Sequence, residues 1–348
     1  MVPLEQIAAD LLPLIDTELQ TITCSPRHGL KPYYGMLHYH LGWADQEQKP
    51  VRTNSSGKRL RPLLCLLSCQ ALGGDLHQAV PAACAIELIH NFSLVHDDIQ
   101  DGSQTRRGRR TVWDIWGANH GINVGDGLFA LAHLTMHRLA DRGVSPDRQQ
   151  AASLVLDRAC LALCEGQFFD MAFEDRPDVD LDEYLWMIRS KTAALLAAAT
   201  QIGAVLATDD ARRIEHFGQF GQNLGMAFQI QDDMLGAWGD EQVTGKSAAS
   251  DIRDRKKTFP VVYALTQEHN GQAAQELAKL YGHPAPLNEA DIQSVLGILD
   301  AVGARQQAEK TALSYYHQAL QNLDQAVRAP SAQASLRELA ASLLGREA

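Results

Sequence analysis

The chain of 348 residues is predicted to be all-α, and three observations carry that expectation. Apolar residues recur at i, i+3 and i+4 along most of its length. No run alternates β-branched residues in the manner of a strand. The Asp-Gly pairs, Asp101-Gly102 and Asp126-Gly127, fall at or between helical segments, where they do not join two strand-like runs.

Taken in order, "MVPLEQIAADLLPLIDTELQ" is acidic, amphipathic and interrupted by Pro13, and it lacks the basic start and apolar run of a signal peptide. Segment 81–101, "PAACAIELIHNFSLVHDDIQD", starts with a proline suited to a first helical turn and meets no breaker until Gly102. "SPDRQQAASLVLDRACLALCEGQFFDMAFE" (145–174) and "LDEYLWMIRSKTAALLAAATQIGAVLA" (181–207) are long, alanine-rich and helically periodic. "DDARRIEHFGQFGQNLGMAFQIQDDML" (209–235) follows, with an Asp pair able to cap it. Roughly 45–57 and 237–255 read as loops long enough to be functional, and the part from about 270 onward as polar helix. A single domain over 1–348, with a substantial core, is expected.

Composition narrows the function. Hydrophobic residues make up 45% and charged residues 21%, as in soluble globular proteins. The net charge of −11 argues against a nucleic-acid partner, which needs a basic footprint. No apolar stretch is read as long enough, at about 18 residues, for a transmembrane segment. Cys65/Cys69 and Cys160/Cys164 are spaced i, i+4 without the His or Cys-x-x-Cys partners of a zinc site, so they read as small core residues. The chain reads as cytoplasmic.

The chemistry begins at "LVHDDIQDGSQTRRGRRT", Leu94 to Thr111. Asp97 and Asp101 lie about 40° apart on one helical face, with Asp98 beside them. Carboxylates this close repel one another unless a cation binds them. An EF-hand is excluded, because the twelfth position from Asp97 is Gly108 where a bidentate Glu is needed. Mg²⁺ fits, since it takes one or two carboxylates and completes its shell with water and phosphate oxygens. A second pair, Asp232 and Asp233, ends another apolar helix, with Gly236 where a third acid would match Asp101.

Cations accompany the acids: Lys58, Arg59 and Arg61 in "SSGKRLRP", Arg106 and Arg107 in "TRRGRR", Lys191 in "RSKT", Lys246 in "TGKS", and Lys256 and Lys257 in "RDRKKT". "TGKS" is no P-loop, for Asp240 stands where that motif needs glycine. Acids, bases and apolar helices together point to two polyanionic groups, one held through Mg²⁺ and one held directly, on a hydrocarbon body.

At this point the chain resembles the polyprenyl diphosphate synthases (trans-prenyltransferases). The resemblance runs from "GKRLRP" at 57–62 through "HDDIQD…RRG", "GD" at 125–126, "EGQFFD" at 165–170, "KT" at 191–192 and "FQIQDD" to "GK…SDIRDRKKT". It implies an isoprenoid-synthase helical bundle around a central active-site cavity, a homodimer, and Mg²⁺, three ions per active site. Asp97, Asp98 and Asp101 are similar to the first aspartate-rich motif, and Asp232 and Asp233 to the second, both metal-binding. Arg106, Lys191, Lys246 and Lys256 match positions on the allylic diphosphate, and Asp170 an acid near the metals. Thr192 and Gln229 match polar groups near the ionising carbon. Lys58, Arg61, His90 and Arg107 match the pocket for isopentenyl diphosphate. Catalysis would rest on Asp97, Asp98, Arg106, Lys191, Thr192, Gln229 and Lys246.

Gly236 and Arg110 depart from the family pattern, Arg110 standing where proline is usual. Phe92 and Ser93, five and four residues before Asp97, are the chain-length positions. An aromatic followed by a small residue resembles the geranylgeranyl (C20) synthases, with farnesyl (C15) the alternative. A class I terpene cyclase would have no use for a second diphosphate pocket, and a non-catalytic partner subunit would be expected to lose acids from the first motif.

Overall fold

In the computed structural model of the protein, residues 4–51, 57, 59–239, 249–266, 271–282 and 287–345 are described. Helix α1 (Leu4–Ile22) tolerates Pro13 and buries Ile15 and Leu19. A short 3-10 turn (His28–Leu30) leads into α2 (Lys31–His40), and α3 (Leu60–Ala71) precedes α4 (Leu76–Gln100). α4 begins earlier than Pro81, because the Asp75 side chain accepts from the His77 N–H and caps it. Pro81 therefore lies inside the helix, where its missing N–H removes one backbone bond.

After α4 comes one antiparallel pair that the sequence did not reveal: β1 (Thr105–Arg106) and β2 (Arg109–Arg110), with Thr105 opposite Arg110 and Arg106 opposite Arg109. Two-residue strands carry no alternation to detect. The turn between them holds Arg107 at φ 52° and Gly108 at φ 71°, the two left-handed positions that a type I′ hairpin requires.

The described elements that follow are helices: α5 (Val112–Trp116), α6 (Ala118–Asp141), α7 (Pro146–Asp175) and α8 (Leu181–Ile188), the last opened by an Asp180/Glu183 capping box. A π-helical turn (Arg189–Ala193) joins α8 to α9 (Ala194–Ala207). α10 (Ala211–Trp238) is capped as expected, Asp210 accepting from the Arg212 N–H. α11 (Ser250–Arg253), α12 (Phe259–Thr266), α13 (Gly271–Gly282), α14 (Glu289–Ala301), α15 (Ala304–Ala326) and α16 (Pro330–Leu344) complete the chain.

The fold divides into two compact units. The first comprises Met1–Asp157, Ala198–Phe217 and Val327–Leu336; its core includes Leu64, Ile86, Ile89 and Leu128. The second comprises Arg158–Ala197, Gly218–Ala326 and Arg337–Ala348; Phe173, Tyr184, Ile230 and Phe259 share one of its clusters.

Contrary to the sequence reading, α4 and Leu181–Ala207 are long and apolar enough to cross a membrane, at mean hydropathies of 1.2 and 1.3. They are core helices instead, with 78% and 67% of those windows buried. Cys65, Cys69 and Cys160 are buried as expected, but Cys164 is exposed, since it lies on an outward face of α7 with Leu161 and Phe168.

Candidate active site

The first acidic cluster occupies the last turn of α4 and its cap. Asp97 is half-buried, Asp98 is buried at 2% exposure, and Asp101 is the exposed C-cap, its N–H bonded to the Asp97 carbonyl at 2.8 Å. A helix C-terminus carries partial negative charge, so three acids there are unfavourable without a compensating cation. One partner is Arg106, whose Nε donates to Asp98 Oδ1 at 2.7 Å. Burial outweighs that arginine and pushes the Asp98 carboxyl up to about 6, with Asp97 and Asp101 adding to the rise.

The β1–β2 hairpin aims the arginines. Arg109 pins it to the end of α2: its guanidinium donates to the Tyr39 carbonyl (3.0 Å) and the Ala44 carbonyl (2.7 Å) and lies over the Tyr39 ring at 4.0 Å. Arg110, at the proline position of the family pattern, donates from Nε to Asp114 Oδ2 (2.6 Å). The Tyr39 hydroxyl donates to the Arg110 carbonyl at 2.7 Å.

Behind this lies a basic pocket. Arg59, left-handed at φ 49° and buried, donates to Glu87 Oε1 at 3.0 Å, and Asn91 donates to the same oxygen at 2.9 Å. That buried pairing ties the loop before α3 to α4 and so aligns Arg61 and His90. Burial, then Arg61, Arg107 and Arg106, hold His90 well below the usual imidazole range. His40 falls to about 3 through burial and the arginines of the hairpin. Arg61 itself is drawn down to about 10, mainly by burial.

The second unit presents a different set. Gly166 of α7 and Gly225 of α10 both abut the π turn: a Cβ on Gly166 would stand 2.3 Å from Lys191 N, and one on Gly225 2.6 Å from Ala193 Cα. Only glycine lets those helices pass so close. π turns recur at functional positions, and this one presents Lys191 and Thr192. Lys191 Nζ donates to Asp170 Oδ2 at 2.5 Å, and the Thr192 hydroxyl donates to Gln229 Oε1 at 2.7 Å. Gln229 Nε2 in turn donates to Asp233 Oδ1 at 2.9 Å. Asp233 Oδ2 accepts from the Phe259 N–H at 2.8 Å and from the Tyr184 hydroxyl. Burial pushes the Asp233 carboxyl up to about 7 despite those bonds. Asp232, one residue earlier, is half-buried. The Gly236 departure also has a cause: a Cβ there would lie 1.8 Å from Oδ2 of buried Asp251.

Lys58 and Lys246 lie outside the described residues, and Lys256 is exposed. Among the described residues, no three His, Cys, Asp or Glu side chains converge as a ready-made metal cage. Phe92 is half-buried and edge-on to Phe129 of α6, ring centroids 5.2 Å apart, while Ser93 is buried and donates to the His90 carbonyl at 2.8 Å. Tyr184, Gly166 and Glu87 escaped the sequence reading. Tyr184 looked like one more apolar-face residue of its helix, and only the Gly in "EGQFFD" carried a signal of close approach.

Acidic helix ends, a basic hairpin and a polar π turn on a helical fold suit the handling of prenyl diphosphates, and comparison with known proteins shows the class. Residues 47–299 match the family described as Polyprenyl synthetase. The chain is 39% identical over 327 residues to a geranylgeranyl diphosphate synthase of Mycobacterium tuberculosis, covering 94% of this chain and 89% of that one. It is 38% identical over 316 residues to a (2E,6E)-farnesyl diphosphate synthase of Mycobacterium bovis, covering 90% and 86%. The crystal structure of a polyprenyl synthetase from Streptomyces coelicolor A3(2) superposes with a TM-score of 0.88 at 33% identity, over 98% of this chain and 99% of that one. The chain belongs to the polyprenyl synthetase family. It is an enzyme of the trans-prenyltransferase type.

Proposed function

We propose that the enzyme condenses isopentenyl diphosphate with an allylic diphosphate, head to tail, and stops at geranylgeranyl diphosphate (C20). The observation that carries this reading is the sharing of one hairpin between two tasks. Arg106 engages the acidic cluster, while Arg107, the next residue, belongs with Arg61 and His90 in a basic pocket. A cyclase has no second diphosphate to put in such a pocket.

The residues fit Mg²⁺. The donors are hard carboxylate oxygens at a helix end that needs a cation, and the absence of a three-residue cage among the described residues suits an ion that fills its shell with water and substrate phosphate. Asp97, Asp101 and Asp232 stand on the more accessible sides, while Asp98 and Asp233 are held inward by hydrogen bonds. Bound Mg²⁺ would neutralise charge developing on the leaving diphosphate.

The chain's own residues do the rest. Arg106 and Lys191, with Lys246 and Lys256 proposed beside them, bind the allylic diphosphate where negative charge grows. Arg61, His90 and Arg107, with Lys58, orient isopentenyl diphosphate without metal. Thr192 and Gln229 offer oxygens to the cationic carbon, and apolar helices exclude water from it. The departing diphosphate takes the proton lost on elimination. Phe92, backed by Phe129, closes the pocket at C20 length.

We also propose a homodimer. Leu154, Leu161 and Phe168 recur every seven residues along α7 at 47%, 62% and 62% exposure, an apolar stripe suited to a second copy. Both membrane-length helices are mostly buried, which argues against their crossing a membrane; a cytoplasmic location is part of the proposal. The test is incubation with Mg²⁺, isopentenyl diphosphate and dimethylallyl, geranyl or farnesyl diphosphate, followed by dephosphorylation and sizing. A C20 alcohol, lost in EDTA, is expected. A C15 or longer alcohol contradicts the length assignment, a cyclic hydrocarbon favours the cyclase, and no turnover favours a partner subunit.

A further inference from the structure

The hydrogen bonds around Asp233 all run one way. The Thr192 hydroxyl donates to Gln229 Oε1 at 2.7 Å, Gln229 Nε2 donates to Asp233 Oδ1 at 2.9 Å, and Phe259 N–H (2.8 Å) and the Tyr184 hydroxyl donate to Asp233 Oδ2. Tyr184 is 1% and Asp233 4% exposed, so water does not compete for either. In its ionised form Asp233 only accepts, and it then faces the NH₂ end of the Gln229 amide, as the Nε2–Oδ1 bond at 2.9 Å has it. With the amide set that way, its oxygen accepts the hydrogen bond from the Thr192 hydroxyl. What Thr192 has left to offer is oxygen lone pairs and no proton.

We propose that Tyr184 and Asp233 are positioning residues, which act through Gln229 to lock the Thr192 hydroxyl as an acceptor facing the reacting carbon. The inference rests on the reading of Thr192 as a polar group beside that carbon. An oxygen whose lone pairs are fixed before reaction stabilises a developing cation without reorganising. A hydroxyl free to rotate would turn its proton toward the nearby diphosphate and offer the cation a worse dipole. Tyr184 supplies the outermost link: its buried O–H holds Asp233 Oδ2, so Oδ1 stays trained on Gln229. Asp233 thereby has a different task from Asp232. Both of its oxygens are taken by three donors from the protein, whereas Asp232 points about 100° away around α10.

The experiment is a double-mutant cycle on the full-length enzyme, measuring kcat, both KM values, the Mg²⁺ activation midpoint and the melting temperature. Tyr184→Phe removes one O–H and keeps the ring. It is expected to lower kcat about 10-fold, with both KM values and the Mg²⁺ midpoint within about twofold. Thr192→Val is expected to lower kcat further, and the Tyr184→Phe/Thr192→Val enzyme to be no slower than Thr192→Val alone. Multiplying losses in the double variant, or an unchanged kcat in Tyr184→Phe, would overturn the proposal. Wild-type turnover by Thr192→Val would remove the reading beneath it, and the proposal with it. Should melting show that Tyr184→Phe does not fold, Gln229→Ala replaces it. That change cuts the chain of bonds between Asp233 and Thr192, leaves the Tyr184 bond intact, and is expected to show the same non-additivity with Thr192→Val.

Discussion

Replacing Gly166 by alanine would put a methyl group 2.3 Å from Lys191 N, 2.8 Å from its Cα and 2.9 Å from its Cβ. Ordinary contact begins near 3.4 Å, so α7 and the π turn must separate by about 1 Å. The nearest atoms are backbone and cannot swing aside as a side-chain end would. Overpacking of this kind costs about 1–3 kcal/mol, and the melting temperature should fall by a few degrees. The kinetic effect should be larger than the stability effect, because the displaced turn carries Lys191 and Thr192. A misplacement of about 1 Å costs on the order of 100-fold in rate. Steady-state transfer of labelled isopentenyl diphosphate reads this directly: kcat should drop about 100-fold. KM for isopentenyl diphosphate should stay near wild type, since the pocket proposed for it uses Arg61, His90 and Arg107. A kcat within twofold of wild type, alongside the expected loss of melting temperature, would refute the claim that Gly166 sets the position of Lys191 and Thr192.

Three other changes test separate parts of the account. Phe92→Ala should lengthen the products beyond C20 on chromatography of the dephosphorylated alcohols; an unchanged C20 product would assign the pocket floor to other residues. Leu161→Lys places a charge in the exposed α7 stripe and should convert the proposed dimer to a monomer in light scattering, while an unchanged mass would exclude that stripe as the interface. The Asp98 carboxyl, raised from 3.8 to about 6 chiefly by burial, binds its proton more tightly in the folded than the unfolded chain. Its stabilisation is therefore present below pH 3.8 and lost as the pH rises through 6. Metal-free wild type should lose about 2 kcal/mol relative to Asp98→Asn between pH 4 and 6.5 in denaturant titrations, and parallel curves would contradict the assignment.

Much of this was legible in the sequence because helical periodicity and charge spacing are local properties. The acids of α4 and α10, Lys191 in "RSKT" and the Asp210 cap needed no tertiary information, whereas the π turn at Arg189–Ala193 interrupts what the sequence offers as one helix over 181–207. What escaped depends on contacts distant in sequence. The start of α4 at Leu76 turns on a capping side chain that Pro81 overshadowed. The hairpin is too short for periodicity, and its Arg107-Gly108 turn lacks the usual Asn or Asp. Tyr184 reads as core until Asp233, 49 residues away, is seen to accept a hydrogen bond from its hydroxyl. The separate duties of Asp232 and Asp233, adjacent and chemically identical, are set entirely by what each faces. Gly236 looked like a lost ligand, but it is the space that Asp251 requires.

The most direct test of the central claim, that one diphosphate is held through Mg²⁺ and the other by cations alone, is calorimetric titration of the wild-type enzyme. Isopentenyl diphosphate and a non-ionising thio-linked allylic diphosphate would each be titrated in Mg²⁺ and in EDTA. The account predicts that isopentenyl diphosphate binds about equally in both and that the allylic analogue binds only with Mg²⁺. Loss of isopentenyl diphosphate binding in EDTA, or metal-independent binding of the allylic analogue, would contradict it.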